Sequence, residues 1–467
     1  MITRDKSFYK NFFSLMAILA IQNMIVLSVN LIDNLMIGNY SEDALAGVAT
    51  VNQIQFIFQQ VLMGSGDALV VMGSQYWGQS RTTPIKRLFC GGLILTLSAG
   101  IILFTLASFI PEQMVSIFTT DPEHIRYGAE YISIMRFTYL IFPISSILLS
   151  SLKSVETVKI AFFTSVISLI VNASINYTLI YGNFGFPQMG VTGAGIGTLI
   201  ARIVELAIIL LYVFKIDKKL TYKPRDFITF DKALLLDYFK NSVSFVVVAV
   251  LFGLSTALQT VILGHIDLTN VSGDPIAANS ISSTMYMMLK VAAIGASNAA
   301  AIIIGKTVGQ NKIDKVKEYS KTLQIVFLII GVLTSITLYS IRSPILSLYG
   351  KITPETYELA NNFILVLCIT CIGTSYQMPV MTGVIRGGGD SAFVLKNDLV
   401  SIWGIMLPVS FIAAFVLKLH PVIIVFCLNS DQIFKCGAAC VKVNRFNWIR
   451  KLTKPDTTQN EQTEQLS

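Results

Sequence analysis

Charge is what this chain has least of. Asp, Glu, Lys and Arg make up 13% of its 467 residues, about half the share of an ordinary soluble domain. Hydrophobic residues fill 53%, and the mean hydropathy is +0.66. A soluble globule of this length is excluded. Histidine is nearly missing. His124, His265 and His420 are the three present, and all are expected in outer loops. No histidine is left for a proton relay inside an apolar segment, and a His/Asp metal cluster is excluded with it. The six cysteines, Cys90, Cys368, Cys371, Cys427, Cys436 and Cys440, lie in or beside apolar runs. Cys368-x-x-Cys371 sits inside one of them without a second ligand pair, so small apolar packing roles outweigh zinc or redox chemistry. The formal net charge of +8 is spread over loops and forms no folded basic face, which excludes nucleic acid as a partner. Gly193-x-Gly195 has no strand before it, and no nucleotide loop or serine nucleophile setting supports a membrane-embedded enzyme.

Long apolar runs are abundant. Runs of about 20 residues cross a bilayer core of about 30 Å as helices. Twelve are placed, at 11–36, 44–76, 88–110, 129–151, 160–182, 191–215, 240–264, 276–306, 322–341, 357–385, 391–417 and 419–442. The second and eighth are long enough to include interfacial turns. The first follows Arg4, Lys6 and Lys10, as in a signal sequence. It is too long for one and lacks a small-residue cleavage site, so it reads as a retained helix. Basic residues fall in alternate loops: Arg81, Lys86 and Arg87, then Lys215 to Lys240, then Lys306 to Lys321, then Lys442 to Lys454. Of 35 Lys and Arg, 27 lie on that side and four on the other, Arg126, Arg342, Lys351 and Lys418. This asymmetry predicts both termini in the cytoplasm and an even number of spans.

The chain repeats itself. Asp43-Ala44-Leu45-Ala46 returns as Asp274-Pro275-Ile276-Ala277, 231 positions on, and Gly64 and Gly78-Gln79 return as Gly295 and Gly309-Gln310 at the same offset. Gly38 and Gly264, at the ends of the first and seventh spans, are 226 apart. Both repeats run in one direction, which predicts an all-α polytopic membrane protein of two six-helix bundles related by a pseudo-two-fold along the membrane normal. The divisions expected are a first bundle at 1–214, a linker at 215–239, a second bundle at 240–452 and a disordered tail at 453–467.

Asp33 is the most informative residue. It stands within Asn30-Leu31-Ile32-Asp33-Asn34-Leu35-Met36-Ile37-Gly38, near the end of an apolar run. A carboxylate there costs several kcal/mol and persists when it binds a proton, a metal cation or a cationic substrate. Pairing with another polar side chain to fix helix packing is the competing reading. Asn172 and Asn176 are four apart and share one face of the fifth helix; Thr198 begins the sixth. A carboxylate with amide and hydroxyl oxygens suits a small hard cation such as Na⁺, or a proton held on the carboxylate. Bridging between helices is the plainer role for the asparagines.

The motifs, in order, are Gln22-Asn23 before Asp33, Ser74-Gln75-Tyr76-Trp77-Gly78-Gln79 at the end of the second span, Asn176-Tyr177-Thr178-Leu179-Ile180-Tyr181-Gly182 with Gly185-x-Pro187, and Gly190 with Gly193-Ala194-Gly195. Arg386-Gly387-Gly388-Gly389-Asp390-Ser391 follows the tenth span, Pro408 lies in the eleventh, and Arg445-Phe446-x-Trp448 closes the twelfth. Their order and spacing over the whole chain resemble the multidrug and toxic compound extrusion (MATE) family, in particular its prokaryotic, NorM-like members. The resemblance implies a secondary antiporter that exports organic cations or amphiphilic drugs against Na⁺ or H⁺ by alternating access. It implies no enzyme activity and no cofactor besides the coupling ion. It also implies a monomer in membrane lipid, multi-pass in the cell (plasma or inner) membrane. In the family, the positions matching Asp33, Asn172, Asn176 and Thr198 form a cation site in the first bundle.

Departures are visible. One branch of the family has aspartate where this chain has Asn176, and proline is frequent where it has Ile18. Another carries acids where it has Gly253 (or Phe252) and Ser375, so the second bundle is expected to lack that cation site. The Arg386-to-Asp390 turn, with Gly389, reads as a helix connection held by an Arg–Asp pair that helps close one face of the cavity. Asp67 and Glu205 are further acids within spans; Arg202 is one partner for Glu205, and Lys290, Arg136 and Lys435 are others to be weighed for the two. Among 29 Phe, 17 Tyr and 15 Met, stacking surfaces for planar lipophilic cations are available. Gln53, Gln55, Gln59, Met63, Asp67 and Met285 to Met288, Met285 and Met288 above all, are expected to line the cavity from the second and eighth helices. The rival readings are a lipid-linked oligosaccharide flippase of related architecture, which would want more intramembrane basic residues, an exporter of one endogenous metabolite, and a non-transporting receptor or scaffold.

Overall fold

The computed structural model describes residues 2–227, 229, 231–266, 274–347 and 353–454. Twelve spans account for them: α1 Lys6–Tyr40, α2 Glu42–Gly78, α3 Thr83–Phe109, α4 as the bent pair Pro122–Met135 and Thr138–Ser154, α5 Lys159–Tyr181, α6 Gly190–Lys215, α7 Lys232–Gly264, α8 Pro275–Gly309, α9 Ile313–Leu346, α10 Pro354–Ile385, α11 Ser391–Val416 and α12 Pro421–Arg445. Each of the twelve apolar runs becomes one span. Starts are marked by side-chain caps: Asp5, Ser41, Asp231, Asp274 and Thr353 accept from the first free N–H groups of α1, α2, α7, α8 and α10, as short polar residues at N-caps do. The long runs of α2 and α8 are continuous helices of 37 and 35 residues.

The fourth run is not one straight helix. It bends by 54° at Arg136–Phe137, nearly two turns before Pro143. A proline within a helix cannot bond the carbonyl four residues back and crowds it. That carbonyl belongs to Tyr139, and a Cβ at Gly100 of α3 would come within 2.1 Å of its oxygen, so α3 approaches there only because residue 100 is glycine. Wide π turns at Pro379–Ile385, Leu399–Met406 and Ile412–Val416 interrupt α10 and α11.

The repeat read from the sequence is a physical symmetry. A Cβ at Gly78 would lie 2.1 Å from the Lys306 carbonyl oxygen, and one at Gly309 would lie 1.9 Å from that of Gln75. The offset of 231 exchanges these two contacts, so α2 and α8 meet about an axis running along them. Gln79 and Gln310 cap the two helices, and Ser80 and Asn311 follow with φ of 59° and 58°. A second exchanged pair lies between α7 and α2 and between α1 and α8: Gly64 approaches Val246, and Gly295 approaches Met16 and Ala20.

The cores follow the same symmetry. The first half of α1, with Phe8, Phe12, Leu15 and Leu19, packs among α8, α9, α10 and Trp448 of the second bundle. The first half of α7, with Leu234, Tyr238 and Phe245, packs among α2, α3 and α4 of the first. Each bundle therefore lends a half-helix to the other at the basic end. The later part of α1, near Ile37, returns to its own bundle.

Polar ties between the bundles gather at that same end. Lys306 Nζ meets Glu156 Oε2 at 2.6 Å. The Thr3 N–H donates to Thr322 Oγ1 at 2.9 Å, and the Tyr319 hydroxyl donates to Asp5 Oδ2 at 3.0 Å. The segment after α12 crosses onto α2: Gln75 receives the Leu452 N–H at 2.7 Å and donates to the Arg450 carbonyl at 3.2 Å. Gln79 donates to Thr453 Oγ1 at 2.6 Å. Thr453 and Lys454, the first two residues of the expected disordered tail, are thus held against the first bundle. The rest of that tail, and Lys351 among the outer cations, lie outside the described residues.

Candidate cation site

Asp33 projects from α1 at its far half, toward α5 and α6. Asn176 Nδ2 donates to Asp33 Oδ1 at 2.6 Å and lies 3.4 Å from Asn172 Oδ1. Asn172 Nδ2 donates to Thr198 Oγ1 at 3.3 Å. The four residues named from the sequence stand in one cluster, supplied by three helices. Both asparagines are buried, Asn176 completely. The i, i+4 spacing places their amides on one face of α5, and the Tyr181 hydroxyl ties α5 to the Met36 carbonyl of α1 at 2.8 Å, close to Asp33.

One oxygen in this cluster has no partner. Asn176 Oδ1 is buried and accepts no hydrogen bond, although buried acceptors are nearly always bonded. A Cβ at residue 197 would come within 2.0 Å of it, so Gly197 is what leaves room for that oxygen. The cluster offers only oxygens to a ligand: the Asp33 carboxylate, the two amide carbonyls and the Thr198 hydroxyl. Such a set fits a hard cation or a proton and gives little to a soft metal.

Arg202 of α6 is in electrostatic range of Asp33. Its charge is already compensated, because Arg202 Nη1 meets Glu205 Oε2 at 2.7 Å, and its guanidinium lies 4.0 Å from the centre of the Phe142 ring. Of the partners weighed for Glu205, Arg202 is the one found. Among the described residues no cationic side chain forms an ion pair with Asp33 itself.

The other expectations fare unevenly. Asp67 was grouped with cavity residues; it is in an ion pair with Arg386, Oδ2 to Nη1 3.6 Å. The Arg386–Asp390 pair does not form. Asp390 instead meets Lys442 at 2.8 Å and Arg450 at 3.4 Å, while Arg386 crosses to α2 and lies over Phe245 of α7. The positive φ of Gly389, 105°, turns the two side chains apart. Met285 is 4% exposed and packs in an apolar core with Phe363 and Leu367, so it does not line a cavity. Gln53 is exposed and Gln59 partly buried; Met63 and Met288 are 56% and 45% exposed. Lys435 and Arg136 serve neither Asp67 nor Glu205. Arg136 lies over Phe137. Lys435 sits between Asp398 at 2.8 Å and Asp431 at 3.2 Å. The Asp398–Lys435–Asp431 triad escaped the sequence reading, although Asp431 and Lys435 are four apart in an otherwise apolar run.

Comparison with known proteins bears on the family and the fold. The family model described as MatE matches residues 19–178 and 266–412. The "Probable multidrug resistance protein NorM" of Streptococcus pneumoniae is 26% identical over 388 residues, covering 82% of this chain and 83% of that protein. In structure, the eukaryotic MATE transporter AtDTX14 superposes with a TM-score of 0.81 at 15% identity, over 96% of this chain and 98% of that one. The bent form of the Vibrio cholerae MATE transporter VcmN gives a TM-score of 0.81 at 16% identity, over 94% and 97%.

Proposed function

The chain belongs to the MatE family of membrane transporters, and from that premise we propose that it is a secondary antiporter exporting amphiphilic organic cations in exchange for Na⁺ or H⁺ by alternating access. The observation that carries the coupling is the oxygen cluster at Asp33, with Asn176 Oδ1 buried and unbonded beside it. A cation or proton at Asp33 neutralises the carboxylate, and a cation held among these side chains would also give the orphaned oxygen a partner. Without it, one bundle holds an uncompensated charge and an unpaired acceptor at membrane depth, which is costly. Ion occupancy therefore shifts the balance between two arrangements of the bundles, to the extent that the two bind the ion differently.

The basic end is the cytoplasmic one in this proposal, by the excess of Lys and Arg there, with both termini inside. The ties among Lys306, Glu156, Asp67, Arg386, Gln75 and the segment 450–454 then close the cytoplasmic side, and the conformation described here faces outward. The moving bodies are the two bundles, in a monomer; the segment joining them is 216–231, shorter than the linker expected at 215–239, because α7 already starts at Lys232. The exposed Met63, Met287 and Met288 offer adaptable apolar contact to a planar substrate.

Purified protein in liposomes tests this. Ethidium uptake or release is followed with a Na⁺ gradient and a pH gradient imposed separately. Movement driven by either gradient supports the antiporter and names its ion. Folded protein that moves ethidium under neither gradient, while flipping a lipid-linked sugar, contradicts it.

A further inference from the structure

The second bundle has a charged interior of its own. Its two carboxylates are fully engaged: Lys435 meets both Asp398 and Asp431, and Gln432 Nε2 donates to Asp431 Oδ2 at 2.8 Å. A polar chain continues from there. Gln377 and Thr374 donate to Gln432 Oε1 at 2.9 and 3.0 Å, and the Tyr286 hydroxyl donates to Thr374 Oγ1 at 2.6 Å. One turn beyond Tyr286 on α8, Lys290 faces the same interior. Asp431 acts on it through space but is bonded elsewhere. What stands against the Lys290 ammonium is the ring faces of Phe252 and Tyr286, 5.5 and 5.8 Å away. Among the described residues no carboxylate or carbonyl is hydrogen-bonded to it.

Lys290 is also within reach of the seam between the bundles. It is partly buried, and Met287, one turn before it on α8, is exposed. Phe252 precedes Gly253, where a Cβ would face Phe56 and Gln60 of α2 in the first bundle. An ammonium at membrane depth is stabilised by a partner anion, and this one has aromatic ring faces as its neighbours.

We propose that Lys290 is a substrate-recognising residue for an oxyacid group, so that the transporter accepts organic cations whose planar apolar body also carries a carboxylate or phosphate. The inference rests on the export function proposed above and specifies its substrates. The body of the substrate lies on Phe252 and Met287, and its acid pairs with the Lys290 ammonium. The first bundle keeps the coupling ion at Asp33, and the second reads the acid.

A matched dye pair separates these roles: a rhodamine with a free benzoate, and its methyl ester, which shares the ring system and lacks the acid. Both are assayed in liposomes under the gradient that drives the wild type. The expected result is that Lys290→Gln moves the ester at the wild-type rate and the acid at least about tenfold more slowly, as befits loss of one partner of a buried charge pair. Ester transport shows that the variant is folded. Equal rates for both dyes in the variant and the wild type, or an equal loss for both, overturn the role of Lys290. A wild type that moves neither dye overturns the export function itself, and the inference with it.

Discussion

At the scale of single residues, the cation cluster depends on groups that cannot be exchanged for near neighbours. Gly197→Ala puts a methyl where Asn176 Oδ1 now sits. The expected cost is about 1–3 kcal/mol in stability from overpacking, together with loss of gradient-driven efflux. Thermal unfolding in detergent and dye transport check the two parts. Asp33, Asn172 and Asn176 were legible in the sequence because each carries a local signal, a charge in an apolar run and a spacing of four on one helix; Thr198, two turns into α6, came with the family resemblance. The partner of Arg386 was not. Its carboxylate is Asp67, far away in the chain and on the other bundle, and only the meeting of the two bundles brings it to Arg386 in place of the nearby Asp390. Asp398 and Asp431 were missed, and Lys435 was weighed for other acids, for a related reason: their charges neutralise one another across α11 and α12, and a single span shows only part of the set.

At the scale of elements, the spans were readable as apolar runs, and the repeat predicted the exchanged glycines. The half-helix exchange of α1 and α7 was not readable. A helix that is apolar on all sides does not say which bundle each half joins. The tight crossing of α2 and α8 makes a specific demand on Gly309. In Gly309→Val the side chain would meet the Gln75 carbonyl, so the basic ends of the two helices separate. Faster amide exchange over residues 74–79 is the expected signature, with a cost of about 1–3 kcal/mol. The linker has its own pH sensitivity. Burial pushes the Asp226 carboxyl up, but the Lys86 ammonium at 2.8 Å, the Lys223 N–H and the nearby cations more than offset it and hold it below the usual carboxylate range. A carboxyl lowered by folding contributes stability that is present above its unfolded value of about 3.9 and is lost as the pH falls through the folded value. The melting temperature should therefore drop below about pH 4, and the part of that drop due to this pair, about 1 kcal/mol at most, should vanish in Asp226→Asn.

At the scale of the whole molecule, two bundles meet about a two-fold axis and are tied together at one end. Glycines bring the helices close there, and a few ion pairs and the segment 450–454 fasten them. Fastenings of this kind are reversible. Arg386→Ala removes the Asp67 pair and leaves a carboxylate unpaired in the seam, so the basic end should open more often, with exchange at residues 74–79 rising while the far half of α1 is unaffected. In the proposed mechanism the first bundle answers to the ion and the seam to the substrate, and export needs both. The most direct test of that account is ethidium efflux from liposomes under the driving ion gradient, wild type against Asp33→Asn, with the melting temperature measured on both. The account predicts that the variant melts as a folded protein and that its efflux no longer responds to the gradient. A folded Asp33→Asn protein whose efflux still follows the gradient at the wild-type rate would contradict it.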